Sequence, residues 1–206
     1  MKKVCILDYG SGNVKSVYNI LTTLLDSSQV DVSNDSRTIR DASHIILPGV
    51  GAFGASMEKI RNRISLDVLH NEVFESKKPF LGICVGMQVL GELGYEFGQF
   101  SGLGWIKGNV NKLHAADLML PHIGWNNIKV IKDDPIFAHI GNNADFYFVH
   151  SFVLAPTHKE TILATTDYGE PFTAVVNSGN VYGVQFHPEK SQKMGALFLQ
   201  NFINLS

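Results

Sequence analysis

The segment Leu81-Gly82-Ile83-Cys84-Val85-Gly86-Met87-Gln88 constrains the fold more than any other part of this chain. It reads as a buried apolar strand that ends in Gly-x-Cys-x-Gly and passes directly into a helix. Such a strand-to-helix turn is sharp and strained, and it stands its central side chain out at the end of a sheet. The backbone N–H after it points the same way. A thiol held there can attack a carbonyl carbon while the neighbouring amide meets the developing negative charge. The segment implies an α/β sheet and an acyl-transfer chemistry.

The flanking sequence repeats the arrangement. Residues 4–7 read as a buried strand, followed by the turn Tyr9-Gly10-Ser11-Gly12-Asn13 and helical spacing over 14–25. Strands are expected at 30–32 and 44–47, the second ending at Pro48-Gly49-Val50-Gly51. Residues 56–76 have helical spacing, with Ile60, Ile64, Val68 and Leu69 on one side. The strand 79–83 precedes the elbow, and 86–93 begins the next helix. This alternation predicts a mostly parallel sheet covered on both faces. From about Leu103 onward, Gly-rich turns separate short strands at 126–131, 145–149, 162–166, 173–176 and 181–185. A last helix is expected over 191–202. Antiparallel strands added near one edge of a doubly wound sheet account for the change in the second half. In such sheets, sites lie beyond the carboxyl ends of the parallel strands, so the 9–13 turn, the 48–51 loop and Cys84 are expected to converge.

Composition narrows the function classes. A chain of 206 residues, 45% hydrophobic and 17% charged, fits one well-packed domain over 1–206 and not a disordered one. A formal charge of −2 offers no electrostatic footprint for nucleic acid or an anionic membrane. No apolar stretch is long enough to span a bilayer. Lys2 and Lys3 precede an apolar run that stops at Asp8, too short for a signal-peptide core. The two cysteines make no disulfide framework, so a reducing, cytoplasmic setting is expected. Cys5 reads as a small apolar residue inside the first strand. No Cys/His spacing suggests a metal site. The 9–13 turn lacks the Lys-Ser/Thr of a phosphate loop and any Gly-x-Gly-x-x-Gly, so neither nucleotide nor another cofactor is expected.

A cysteine nucleophile needs a base and a group that orients the base. His187 lies in Val184-Gln185-Phe186-His187-Pro188-Glu189, where an apolar strand again ends in a polar cluster. In an extended segment, residues two apart share a side, so His187 and Glu189 can point together. Pro188 keeps the segment extended. Glu189 can then fix the imidazole tautomer while His187 takes the Cys84 proton. Each motif alone also reads as a plain turn or strand end; the two together favour a triad. The Val85 amide and an amide of Val50 or Gly51 are candidate oxyanion donors. His122 and His150 read as satisfied core residues, and Trp125 as core or an interface anchor.

Taken in order, Tyr-Gly-x-Gly-Asn at 9–13, Pro-Gly-Val-Gly at 48–51, Gly-Ile-Cys-x-Gly-Met-Gln at 82–88, Pro-His-x-Gly-Trp-Asn at 121–126, Tyr-Phe-Val-His-Ser at 147–151 and Gln-Phe-His-Pro-Glu-Lys-Ser at 185–191 resemble the class I (triad) glutamine amidotransferases. More narrowly, they are similar to the glutaminase subunits of imidazole glycerol phosphate synthases. The resemblance covers nearly the whole chain. It implies a flavodoxin-like three-layer fold with Cys84 as nucleophile, His187 as acid/base and Glu189 as its orienting partner. Val50, Gly51 and Val85 match the oxyanion region, and Gln88, Glu96, His150 and Ser151 match the L-glutamine pocket. Asn13, Trp125, Tyr147 and Lys190 match positions facing a (β/α)8-barrel cyclase in a heterodimer. Phe152 stands where Tyr is common, and the stretch after Gln88 is unusually rich in Gly.

Other readings keep part of this picture. A paralogous subunit would run the same chemistry but feed ammonia to a partner that amidates a surface-polysaccharide sugar. A non-enzymatic binding module would carry a structural Cys84 that resists glutamine-like electrophiles. A cysteine peptidase would need an extended groove, for which the sequence has no signature.

Overall fold

The computed structural model describes residues 2–206. Four strands of the first half, β1 (Val4–Leu7), β2 (Val30–Ser33), β3 (His44–Gly49) and β4 (Phe80–Cys84), run parallel. β1, β3 and β4 are buried along their whole length, as strands covered on both faces must be. Between them lie α1 (Val14–Leu24), α2 (Ser36–Asp41), α3 (Phe53–Arg63) and α4 (Leu66–His70). After the single helical turn α5 (Val85–Gln88) come short strands: β5 (Leu93–Gly94), β6 (Phe100–Ser101), β7 (Gly108–Lys112), β8 (His122–Asn127), β9 (Lys129–Val130), β10 (Asp145–His150) and β11 (Phe152–Pro156). The chain ends with β12 (Ile162–Tyr168), β13 (Glu170–Ser178), β14 (Val181–Val184) and α6 (Gln192–Asn204).

The main sheet has the order β2-β1-β3-β4-β14-β13-β12-β9. Its first five strands are parallel and reproduce the flavodoxin-like order, β14 taking the fifth place. The last three extend that edge antiparallel. α1 packs against α6 and α2 against α4, so two helical layers enclose the sheet. A four-stranded sheet, β11-β7-β5-β6, and a two-stranded ribbon, β10-β8, complete the second half. The parallel half and the antiparallel extension thus agree with the sequence reading.

Several segments differ from it: α2, β6 and β7 stand where no element was expected, and three expected elements are altered. The helix expected over 56–76 is broken: Ile64 and Ser65 are extended, and α4 restarts with Asp67 in its first turn, where a negative charge favours the helix dipole. The break interrupts the helical period and leaves Ile60, Ile64 and Leu69 all buried. The helix expected over 86–93 lasts one turn, because the backbone turns away to pair with β7: Glu92 N–H donates to Gly108 and Tyr95 N–H to Val110. The strand expected over 126–131 is two strands in different sheets, hinged at the fully buried Ile128. β11 was not anticipated at all; its burial lacks a clean alternation because β7 and the main sheet both cover it.

Glycine lets α5 sit directly on the sheet. A Cβ on Gly86 would lie 1.9 Å from the Leu47 carbonyl oxygen, and one on Gly49 would lie 2.5 Å from the Gly86 nitrogen. Gly141, by contrast, faces open space. Gly86→Ala should therefore cost more than about 2 kcal/mol in urea unfolding, because backbone and not a flexible side chain must yield. Gly141→Ala should stay within about 0.5 kcal/mol.

Candidate active site

The parallel register places three strand ends side by side. Pro48 pairs with Ile83 and Gly49 with Cys84, while Val184 pairs with Ile83 from the other side. The 48–51 loop, the elbow and the segment after β14 therefore border one space. Cys84 itself has φ 55° and ψ −112°, a left-handed conformation that a non-glycine residue holds only under strain. That conformation turns the thiol into the pocket and starts α5 immediately behind it.

The pocket has a volume of about 310 Å³. Val50, Gly51, Cys84, Val85, Gln88, Glu96, His150, Ser151, His187 and Lys190 all line it, together with Val149 and Phe152. Ten of the residues singled out in the sequence thus meet here. A larger cleft of about 540 Å³, bordered by Asp133, Asp134, Pro135 and Asn142, holds no cysteine or histidine.

His187 and Glu189 are both about 1% exposed, and His187 Nδ1 lies 2.8 Å from Glu189 Oε1. With Nδ1–H donating to the carboxylate, the Nε2 lone pair is left free, and Nε2 is buried without a protein hydrogen bond. Asn13 Nδ2 donates to the same Glu189 oxygen at 3.2 Å. The backbone fixes the imidazole from behind: His187 N–H donates to the Tyr147 carbonyl at 2.9 Å, and Ser191 Oγ donates to the His187 carbonyl at 2.6 Å. Burial by itself disfavours an imidazolium here. The negative charge of a Cys84 thiolate, followed by the hydrogen bond and charge of Glu189, outweighs burial and pushes the His187 pKa up to about 10. A proton leaving the thiol is thus well held on the imidazole. Cys5 is the contrast: burial pushes its thiol up to about 12 inside β1.

The glutamine-type amides and carboxylates are already partly engaged. Gln88 Nε2 donates to the Phe152 carbonyl at 2.8 Å and to Gln185 Oε1 at 3.0 Å, so its Oε1 is the atom left for a ligand donor. Glu96 Oε2 accepts the Phe53 N–H at the start of α3 at 2.9 Å, which holds the carboxylate at the pocket edge. Outside the pocket, Trp125 and Tyr147 pack edge to face at 6.0 Å, and Lys190 Nζ lies 5.7 Å over the Tyr147 ring. Ile123 and Trp125 are outward and exposed on β8, opposite Val149 and Tyr147 on β10. This apolar face runs into the mouth of the pocket through Val149.

Two contacts in the pocket were not read from the sequence. Gln185 is fully buried with its amide beside Cys84. Its period-two spacing from His187 and Glu189 was the available signal. Phe152 contributes its carbonyl, which no side-chain motif reveals. Among the described residues no helix is long and apolar enough to cross a membrane, and no group of three or more His, Cys, Asp or Glu could hold a metal ion.

His122 is buried as expected of a core histidine, stacked on Tyr168 at 4.0 Å, and its Nδ1 lies 3.1 Å from His150 Nε2. Burial pushes the His122 pKa down to about 4. Burial, helped by the charge of His122, pushes that of His150 down to about 3. The unfolded chain takes up these protons near pH 6.5. Below that value the unfolded state binds more protons than the folded one, so stability is lost as pH falls from 6.5 toward 4 and 3. His187 acts oppositely: its contribution is complete below 6.5 and fades as pH rises toward its raised value. Urea unfolding near pH 5 should give a stability lower than that near pH 7.5 by about 2 kcal/mol or more. Replacing His122 with Phe should make that dependence shallower.

Comparison with known proteins gives the family from two directions and the fold from a third. The family model described as glutamine amidotransferase class-I matches residues 5–205. An imidazole glycerol phosphate synthase subunit HisH from Pelagibacter ubique is 42% identical, covering 98% of this chain and 99% of that protein. The HisH subunit of Methanocaldococcus jannaschii is 44% identical over 97% of this chain and 98% of its own. Among solved structures, PurLQS from Thermotoga maritima superposes with a TM-score of 0.74 at 21% identity, covering 99% of both chains. A second, described as a glutamine amidotransferase, has a TM-score of 0.73 at 18% identity over 97% of this chain and 98% of that one. The solved structures establish the fold alone, while the family model and the relatives above 40% identity establish that this chain belongs to the class-I glutamine amidotransferases, within the HisH group.

Proposed function

We propose that this chain, as one amidotransferase domain over 1–206, is the glutaminase subunit of an imidazole glycerol phosphate synthase. The observation that carries the chemistry is the buried His187–Glu189 pair, whose imidazole lines the pocket that also holds the strained Cys84. The thiolate of Cys84 attacks the side-chain amide carbon of L-glutamine. The oxyanion is met by the Val85 amide at the start of α5 and by an amide of the Val50–Gly51 segment. His187 gives its proton to the departing nitrogen, and ammonia leaves a γ-glutamyl thioester on Cys84. His187 then takes a proton from water, which attacks the thioester, and glutamate is released with the thiol restored. Gln88 Oε1 and Glu96 suit the substrate's ammonium group, as free acceptors at the pocket edge. His150 and Ser151 form the opposite wall.

Ammonia released into water at neutral pH is protonated and lost as a nucleophile, so the product has to pass directly to an acceptor. The acceptor is a (β/α)8-barrel cyclase subunit that converts a phosphoribulosyl-formimino aminoimidazole carboxamide ribotide to imidazole glycerol phosphate and AICAR. The sugar-amidating alternative is not favoured, because the near-full-length relatives carry the synthase name. The exposed apolar face of Ile123 and Trp125, with Tyr147, Lys190 and Asn13 beside it, is the surface we assign to that partner. The setting is cytoplasmic.

Cys84→Ala should fold as the parent does and lower glutamate release, measured with the cyclase and its nucleotide present, by about 10⁴-fold or more. Substantial residual hydrolysis would end the proposal. Trp125→Asp, at an exposed site, should leave the melting temperature within a few degrees and weaken cyclase binding by about tenfold or more in calorimetry. Unchanged affinity would move the partner to another face.

A further inference from the structure

Gln185 is a buried polar residue beside Cys84 to which the chemistry above gives no role. It is fully buried, with its Nε2 3.7 Å from Cys84 Sγ. We propose that Gln185 is a catalytic residue whose side-chain amide donates to the Cys84 sulfur and stabilises the thiolate.

The sense of this hydrogen bond follows from a fixed acceptor two steps away. The Phe152 carbonyl can only accept, so the Gln88 group 2.8 Å from it must be the amide nitrogen. The second N–H of that nitrogen reaches Gln185 at 3.0 Å, which makes the facing Gln185 atom the oxygen. The amide nitrogen of Gln185 is then the group left facing sulfur. His150 strengthens the anchor, since its Nδ1 lies 3.2 Å from the same Phe152 carbonyl and its Nε2 meets His122. Asn126 Nδ2 closes the far end, 3.3 Å from His122 Nε2 and 2.9 Å from the Asp167 carbonyl. The orientation of Gln185 is thus imposed by a directed chain and is not free to invert.

The chemistry at sulfur depends on that direction. Across the thiol, the Val149 carbonyl lies 3.9 Å from Sγ. It can accept from S–H, and it can only repel a thiolate. An N–H donor from Gln185 does the reverse: it is weak toward a neutral thiol and strong toward an anion. When the Cys84 proton passes to His187, one contact is lost and the other strengthens. The titratable groups facing the sulfur are His187 and Glu189 after β14, His150 at the end of β10, Tyr9 after β1, and Glu96 and Lys190 at the pocket edge. Of these, the imidazolium and Lys190 supply positive charge.

This inference rests on the glutaminase reading but is tested apart from it. Iodoacetamide alkylation of Cys84, located by mass spectrometry and followed against pH, reads the thiolate directly. Gln185→Met removes the donor at nearly constant volume. The alkylation midpoint should rise by about one pH unit, a tenfold change in the thiol–thiolate ratio. Glutamate release with the cyclase present should fall about tenfold in kcat, with KM little changed. A folded Met variant with the parent's midpoint would overturn the proposal. In the unsubstituted protein, the Gln185 side-chain ¹⁵N resonance should titrate with the alkylation midpoint, and a resonance that does not move would overturn it even if the Met variant fails to fold. Absence of glutamate release by the unsubstituted complex would instead refute the glutaminase function and leave the midpoint comparison intact.

Discussion

The parallel pairing of β3 and β14 on either side of β4 is the constraint on which the rest depends. It delivers the 48–51 loop and the His187 segment to the same end of the sheet as Cys84, although they lie far apart in sequence. The pairing is tight because α5 lies on the strands with no side chain between: Gly86 touches the Leu47 carbonyl, and Gly49 touches the Gly86 backbone. Any side chain at these contacts would lift the helix start, and with it the Val85 amide. The geometry of an acyl-transfer site is thus set by backbone packing before any catalytic side chain is considered.

Electrostatics then divides the buried histidines into two kinds. His187 has a carboxylate behind it and a thiol in front, and it is held ready to carry charge. His122 and His150 have only neutral partners, and burial keeps them uncharged. The same side chain is thus set to hold a proton in one place and to act as a fixed link of a hydrogen-bond chain a few ångströms away. The neutral pair costs acid stability, while it anchors the Phe152 carbonyl, against which the Gln88 and Gln185 amides are ordered.

The relation between pocket and surface follows from the β10–β8 ribbon. Its inward residues, Phe148, His150 and His122, belong to the core and the pocket wall. Its outward residues, Ile123, Trp125, Tyr147 and Val149, make an apolar face that reaches the pocket mouth. Strand alternation alone places the apolar face and the pocket wall on opposite sides of one two-stranded element. Asn13, at the start of α1, donates to Glu189 from another side.

What the sequence by itself determined was local and periodic. The elbow at 81–88 and the alternation of apolar runs with helical spacing are short-range patterns that kept their meaning in the fold. His187 and Glu189 meet as expected, but across a 3-10 turn over Pro188–Lys190 and not along an extended segment, because the chain turns there to enter α6. The early end of the helix after Gln88, the break at Ile64 and Ser65, the division of 126–131 between two sheets and the existence of β11 were decided by tertiary structure. In each case a long-range backbone pairing or a buried contact outcompeted the local period. Glu96 shows the same division: the resemblance placed it in the pocket within an unusually Gly-rich stretch, and the carboxylate is held at the pocket edge by the Phe53 N–H that donates to it. Gln185 shows it most sharply. Spacing placed it on the side of His187, but only the packed chain of carbonyl and amides decided which of its two polar atoms faces the sulfur, because a hydrogen bond's direction is set by its partners and not by the residue that makes it.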